Sequence, residues 1–231
     1  SRLLINSCQV FSFFEKFMTC EFSAPCHIQS VMPSLEAVCG KLFGHPGWVS
    51  KVIWGGALSF IPILNLFSLG YLLKYTIQLR QNKDWDLPEW NEMEPIPLLS
   101  GGLQVFLLLL AYSGCPILIG WLVSILLDLI TFGFLGIVSF FPLAAGAFIA
   151  PFLFLSSMHV FVRDGLYSDA WRVRFVIEVA RAMSPQLILP VIAFWGILLL
   201  ALPLYGFSFF IGTWVLLAYS SALSFSMMSQ D

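Results

Sequence analysis

Hydrophobic positions run almost without interruption from residue 98 to residue 162, and Asp128 is the only charged side chain in that stretch. A helix that crosses a bilayer needs about 20 apolar residues, so the stretch is long enough for more than one crossing. In lipid, a single segment satisfies its backbone hydrogen bonds only as a helix. The pattern predicts two long helices, 98–127 and 134–162, which are kinked and tilted.

A second apolar region follows, and it divides around Pro203 and Gly206 into the runs 187–204 and 207–228. Each run is long enough for one crossing, which predicts a hairpin of two further spans. The last run has a face of small side chains, and such faces allow helices to pack closely. These side chains are Ala218, Ser220, Ser221, Ala222 and Ser224.

The segment 52–82 is different, because Pro62 and Asn65 interrupt its apolar pattern. Each apolar half rises by roughly 16 Å, which is about half the thickness of a bilayer. Basic residues flank both ends, and positive charge marks the cytoplasmic side of membrane proteins. We therefore predict a re-entrant hairpin that turns at 62–65. A kinked full span is the alternative.

Basic residues return after Arg163 in a pattern with the period of a helix. At 100° per residue, Arg174, Glu178 and Arg181 share a narrow arc, and apolar side chains occupy the opposite side. Arg174 and Glu178 lie four residues apart and are expected to pair.

Ser168 is a suitable N-cap for this helix, which would begin at Asp169 and end at Pro185. We predict that it lies in the membrane interface, with Arg172 and its neighbouring arginines on the cytoplasmic side. It either binds anionic lipid headgroups or only connects two spans.

The predicted fold class is an all-α integral membrane protein with about four full transmembrane helices, a broken or re-entrant hairpin and an interfacial amphipathic helix. Residues 32–231 are expected to form a single polytopic membrane domain. Residues 1–31 lack the order of a signal peptide and are predicted to be an atypical N-terminal extension. A disordered or loosely membrane-associated leader is the alternative.

Composition supports this class, because 59% of the residues are hydrophobic and only 10% are charged, against roughly 25% charged in soluble domains. The net charge of −2 argues against nucleic acid as a partner. Five cysteines show no repeated spacing, and the gap between Cys20 and Cys26 is too wide for paired thiolate ligands. We predict free thiols, no metal and no cofactor.

The main polar loop, 83–97, carries five carboxylates and the aromatic residues Trp85 and Trp90. Paired carboxylates suit acid–base chemistry or cation binding. Their spacing matches no known calcium loop, and three prolines favour an extended chain. We predict a solvated acidic loop that its two tryptophans anchor at the interface.

Two intramembrane residues are candidates for chemistry. Asp128 fits a turn on the far side of the membrane, because a charge at bilayer depth is costly; the alternative is a buried carboxylate in a proton or substrate pathway. His159 fits an interfacial hydrogen-bonding residue, and the alternative is a ligand for a cofactor or metal.

Four motifs resemble a known family: Gly55-Gly56, the IPILN turn at 61–65, GYLL at 70–73 and LPEW at 87–90. They are similar to the DUF4013-like family of uncharacterised prokaryotic membrane proteins, over about residues 33–228. The resemblance implies a polytopic fold and a prokaryotic plasma membrane. It implies no catalytic residue.

Signatures of soluble enzymes are missing from the sequence, including phosphate-binding loops, nucleophile elbows and zinc-binding helices. We therefore expect a non-catalytic scaffold or accessory subunit of a membrane complex, with both termini cytoplasmic. Its expected partners are membrane lipids and other membrane proteins or further copies of itself. A permease for lipids or small molecules is the alternative.

Overall fold

The computed structural model describes residues 34–82, 85–134 and 136–228, and this part of the chain is helical without strands. The predicted extension, 1–31, lies outside the described residues. The bounds of the helices are α1 Leu35–Phe43, α2 Trp48–Ser59, α3 Asn65–Asn82, α4 Pro95–Leu109, α5 Cys115–Ile130, α6 Phe141–Asp164, α7 Val173–Leu200 and α8 Tyr205–Met228. A π-helical segment, Leu110–Gly114, joins α4 to α5, and short 3-10 turns precede α6, α7 and α8.

Four helical stretches are long and apolar enough to cross a membrane: Pro95–Ile130, Gly136–Arg163, Val173–Leu200 and Leu202–Phe225. The predicted all-α membrane fold with four spans is therefore confirmed. The kink predicted in the first of these helices is present as the π-helical segment before Pro116, which accommodates the missing N–H of this proline. The turn predicted between the first two spans lies at 131–134.

Segment 52–82 is a helical hairpin made of α2 and α3. The Ser68 hydroxyl donates to the Gly55 carbonyl at 2.8 Å, so α3 folds back along α2 and the alternative of one kinked span is wrong. The turn lies beside Tyr205, whose hydroxyl donates to the Phe60 carbonyl at 2.7 Å. Because Tyr205 is the first residue of α8, the turn lies beside the start of α8.

The predicted separate amphipathic helix is wrong in its bounds. Ser168 makes no side-chain cap, and residues Asp169–Trp171 form only a 3-10 turn. Helix α7 begins at Val173 and continues through Pro185 and Pro190 to Leu200, so the amphipathic part is the first half of a long helix. Its periodicity is real, because Val176, Ala180 and Met183 are buried.

Glycines bring neighbouring helices into backbone contact at two places. A Cβ added to Gly102 would lie 1.8 Å from the Leu66 carbonyl oxygen, and one added to Gly70 would lie 2.0 Å from that of Leu98. In the same way, a Cβ added to Gly120 of α5 would meet the backbone of α6, and one added to Gly146 of α6 would meet the backbone of α5. Small residues therefore set the distances between α3 and α4 and between α5 and α6, as they commonly do in membrane bundles.

Helix α8 lies at the centre of the bundle, where Trp214 and Phe210 are fully buried against α1, α2 and α3. The predicted small-residue face of α8 is buried too. Its serine hydroxyls donate to carbonyls of their own helix; for example, Ser220 and Ser221 both donate to Leu217. This face is therefore used inside the bundle.

Candidate functional site

A buried lysine holds the acidic loop against the bundle. Lys51 lies in the first turns of α2, and its side chain is only 7% exposed. Its Nζ lies 2.9 Å from a Glu89 carboxylate oxygen and 3.4 Å from one of Asp86, and it also donates to the Leu87 carbonyl. Two carboxylates of the loop thus meet a single cation.

Aromatic contacts complete this arrangement. The Trp90 ring stacks on Tyr71 with centroids 4.0 Å apart and planes 8° apart, and its Nε1 donates to the Lys51 carbonyl at 3.2 Å. The Tyr71 hydroxyl donates to the Pro88 carbonyl at 2.8 Å. Trp85 receives the Lys41 ammonium over its ring at 4.9 Å. We call residues 85–90 with Lys51 and Tyr71 the docked loop.

The docked loop corrects two expectations. The two tryptophans anchor the loop as predicted, but they pack on α1, α2 and α3 of this chain. Asp86 and Glu89 are paired with Lys51 and are therefore not simply solvated. Pro95 and Pro97 open helix α4 rather than extending the loop, since proline is tolerated in the first turn of a helix. Residues Lys83 and Asp84 lie outside the described residues.

Burial and pairing act in opposite directions on Lys51. Burial favours the neutral amine, but the hydrogen bonds and charges of Glu89 and Asp86 outweigh it, and the pKa of Lys51 is raised. Burial, together with the negative charges of Glu89 and Asp86, also raises the pKa of Tyr71. Both groups are therefore protonated at neutral pH, and the docked loop is a fixed ion-paired contact there.

These shifts predict that the docked loop loosens in alkali. A pKa that is higher in the folded state means that the folded state holds more protons, so the free energy of unfolding falls as pH rises. We expect constant stability from neutrality to near pH 10 and a decline above it, because the unperturbed values are about 10.4 for Lys and 10 for Tyr. Limited proteolysis of the loop as a function of pH measures this. A Lys51→Met variant should lose part of the decline, and an unchanged profile would assign the decline to other groups.

The residues predicted at the two turns lie at helix ends. Pro62 is exposed in the turn between α2 and α3, and Asn65 begins α3. The Asn65 side-chain oxygen is buried and accepts no hydrogen bond from the described residues. Asp128 is exposed in the last turn of α5, beside the turn where Gly133 donates to its carbonyl. Proline, asparagine and aspartate thus mark chain reversals in both places.

The four arginines singled out in the sequence lie where α6 ends and in the first half of α7. Arg163 lies over the Phe175 ring at 5.1 Å, and Arg172 pairs with Asp169 at 3.4 Å. The predicted pair of Arg174 with Glu178 is confirmed at 3.3 Å. Arg181 is exposed one turn further along α7. Neighbouring carboxylates thus offset part of this positive charge.

Reactive groups do not cluster within the described residues. His159 lies half-buried on α6, and the described part of the chain contains no group of three or more residues that would suit a metal ion. The thiols of Cys39 and Cys115 are free, whereas Cys8, Cys20 and Cys26 lie outside the described residues. The structure does not bring Asp128, His159 and the arginines together into one site.

An apolar cleft of about 220 Å³ lies between the spans. Residues from α4, the π-helical segment, α5, α6, α7 and α8 contribute to its walls. Its lining is hydrophobic except for the Ser113 and Thr213 hydroxyls and the Trp195 indole. The cleft is therefore suited to an apolar ligand and not to a charged one.

Sequence reasoning missed both Lys51 and the cleft. A lysine beside an apolar run signals an interface position, and only the fold shows that a loop 35 residues later supplies its partners. For the cleft, the one local signal was the sequence Ser113-Gly114-Cys115-Pro116, where the helix is distorted.

Comparisons of the chain with protein-family models, curated proteins and solved structures found no match. The resemblance to an uncharacterised membrane family therefore stays a prediction.

Proposed function

We propose that this protein is a non-catalytic scaffold or accessory subunit of a membrane complex. The observation that carries the proposal is the uncovered surface of α5. Only Gly120 and Ser124 are buried among its 16 residues. Within the described residues, α5 has extensive contacts with α6 and with the short segments at its own ends.

The exposed surface of α5 is large and apolar. Its large exposed hydrophobic residues are Leu118, Ile119, Trp121, Leu122, Val123, Ile125, Leu126, Leu129 and Ile130. A helix that its own chain covers on one side only leaves a broad face for neighbours in the membrane. The glycine-rich contact with α6 fixes the orientation of that face, as a docking surface requires.

The polar groups of the spans support a role without catalysis. The hydroxyls of Ser124, Ser156 and Ser157 donate to carbonyls three or four residues earlier in their own helices. Such hydroxyls use their donor protons within their own helices and do not donate to a substrate. The charged pairs of the docked loop and of the start of α7 likewise hold the chain together.

Photocrosslinking in the native membrane tests the scaffold role. A photoreactive amino acid at Leu122 or Leu126 is expected to form discrete adducts with another protein, because the two positions lie four residues apart on the exposed face of α5. The matched control is Leu189, which is 65% exposed on α7. There we expect lipid adducts, and mass spectrometry identifies each adduct.

If Leu122, Leu126 and Leu189 all give only lipid adducts, α5 faces lipid and the scaffold role is wrong. The second candidate, a permease for lipids or small apolar molecules, would then be favoured, because the cleft between the spans fits an apolar cargo.

A further inference from the structure

The apolar cleft has a shape and a position that fit hydrocarbon. It is partly open, and its volume of about 220 Å³ exceeds the roughly 150 Å³ of an apolar protein cavity that stays dry and binds benzene. Its walls come from helices that are long and apolar enough to cross a membrane. In a bilayer, lipid acyl chains surround these helices, so the chains have direct access to the open side of the cleft.

One polar group in the wall lacks a partner. The Nε1 of Trp195 is buried and has no hydrogen-bond acceptor among the described residues. An indole N–H donates and never accepts, and buried donors of this kind normally have an acceptor. An oxygen atom of a lipid would satisfy this donor, which the described residues leave without an acceptor.

The position of Trp195 indicates which oxygen this is. Trp195 lies five residues before Leu200, where α7 ends, which is roughly 7.5 Å along the helix axis. Tryptophans near the ends of spans lie at the level where the lipid headgroups begin, and the acyl carbonyls lie there as well. The lining of the cleft also includes Leu109 and Leu155, which lie inside the bundle.

The wall also contains a distorted helix. Ser113 belongs to the π-helical segment, and Pro151, which interrupts the hydrogen bonding of α6, also lines the cleft. π-helical segments occur frequently at functional sites, because they widen the helix locally. The cleft thus lies where two spans depart from regular geometry.

We propose that this cleft binds one acyl chain of a membrane lipid, with the acyl carbonyl oxygen accepting a hydrogen bond from Trp195 Nε1. The hydrocarbon runs between α6 and α8 toward Leu109, and the carbonyl stays near the end of α7. The site does not depend on the scaffold role, since α5 contributes only Ile117 to the cleft.

Photolabelling of the full chain in lipid nanodiscs tests the site. The probes are a phosphatidylcholine and a free fatty acid, each with a diazirine in the middle of an acyl chain. We expect adducts concentrated on the lining residues of α6 and α8, which are Ala150, Pro151, Phe154, Leu155, Phe209, Thr213 and Leu216. Labelling by the first probe identifies an ester-linked chain as the ligand, and labelling by the second alone identifies a free acid.

Filling the cleft should reduce this labelling. Ala150→Phe adds a ring at a buried wall position, and we expect roughly tenfold less adduct, the change that about 1.4 kcal/mol of binding free energy produces. Ala145→Phe on the exposed side of α6 is the matched control and should label like the native chain. Trp195→Phe replaces the indole with a smaller aromatic ring that has no donor, so the labelled positions should spread along the cleft.

Thermal unfolding of each variant shows whether it is folded. If Ala150→Phe is unstable, Leu198→Trp at a half-exposed wall position takes its place, with the same expected loss. Adducts spread over exposed residues such as Leu122, equal in the native chain and in the filled variants, would overturn the proposal.

Discussion

Gly102→Ala is expected to destabilise the protein by about 3 kcal/mol or more, at the upper end of the cost of overpacking. The new methyl group would lie 1.8 Å from the Leu66 carbonyl oxygen and 2.7 Å from its carbon. Both atoms belong to the backbone of α3, so no side-chain rotation relieves the clash and the two helices must separate. Thermal unfolding in detergent measures the effect, and roughly 2–4 °C is expected per kcal/mol for a chain of this size.

Two other glycines are controls for this prediction. Gly101→Ala meets only the end of the Leu73 side chain, at 3.1 Å, which a small rotation relieves. Gly196→Ala meets nothing within 4 Å. Both variants should unfold near the native temperature. If Gly102→Ala does so as well, α3 and α4 are not in backbone contact.

Removing the two carboxylates of the docked loop is expected to cost more than removing its lysine. The double variant Asp86→Asn, Glu89→Gln leaves the ammonium of Lys51 buried without its charged partners, and a buried uncompensated charge is strongly destabilising. We expect a loss of about 2–3 kcal/mol, below the usual 3–5 kcal/mol for fully buried pairs. The expected loss is smaller because the carboxylates of Asp86 and Glu89 are 38% and 60% exposed, and water screens their charges.

Lys51→Met removes the buried charge itself, and the half-exposed carboxylates then turn to water. We therefore expect a smaller loss of stability than in the double variant. Glu94→Gln, at an exposed position after the loop, is the control and should change nothing. Urea unfolding followed by tryptophan fluorescence compares the variants. If Lys51→Met is the more damaging change, the value of the contact lies in the lysine's hydrogen bonds and not in charge pairing.

Local patterns in the sequence predicted much of the fold. Helix α1 begins as capping rules would have it, since the Ser34 hydroxyl accepts from the Ala37 N–H at 3.1 Å. Pro62 marks a chain reversal as predicted, and Arg174 pairs with Glu178. Each of these features depends on residues within one or two turns, so periodicity and capping rules reach them.

The rule for proline failed at Pro185, which does not end a helix. A proline removes one hydrogen bond and crowds the preceding turn. In a long apolar helix, neighbouring helices and local adjustment satisfy the freed carbonyl. Here Met183 and Leu187 are buried on either side of Pro185, so packing outweighs the local preference. A local rule cannot include that packing.

The sequence by itself determined that this is an all-α membrane protein with four spans and where most of its turns fall, because hydropathy and helix periodicity are properties of neighbouring residues. Only the tertiary structure decided that Lys51 receives Asp86 and Glu89, that α5 stays uncovered and that a cleft remains beside Trp195. These features depend on which helices meet and how closely. Contacts between distant residues, among them Gly102 with Leu66, set those distances.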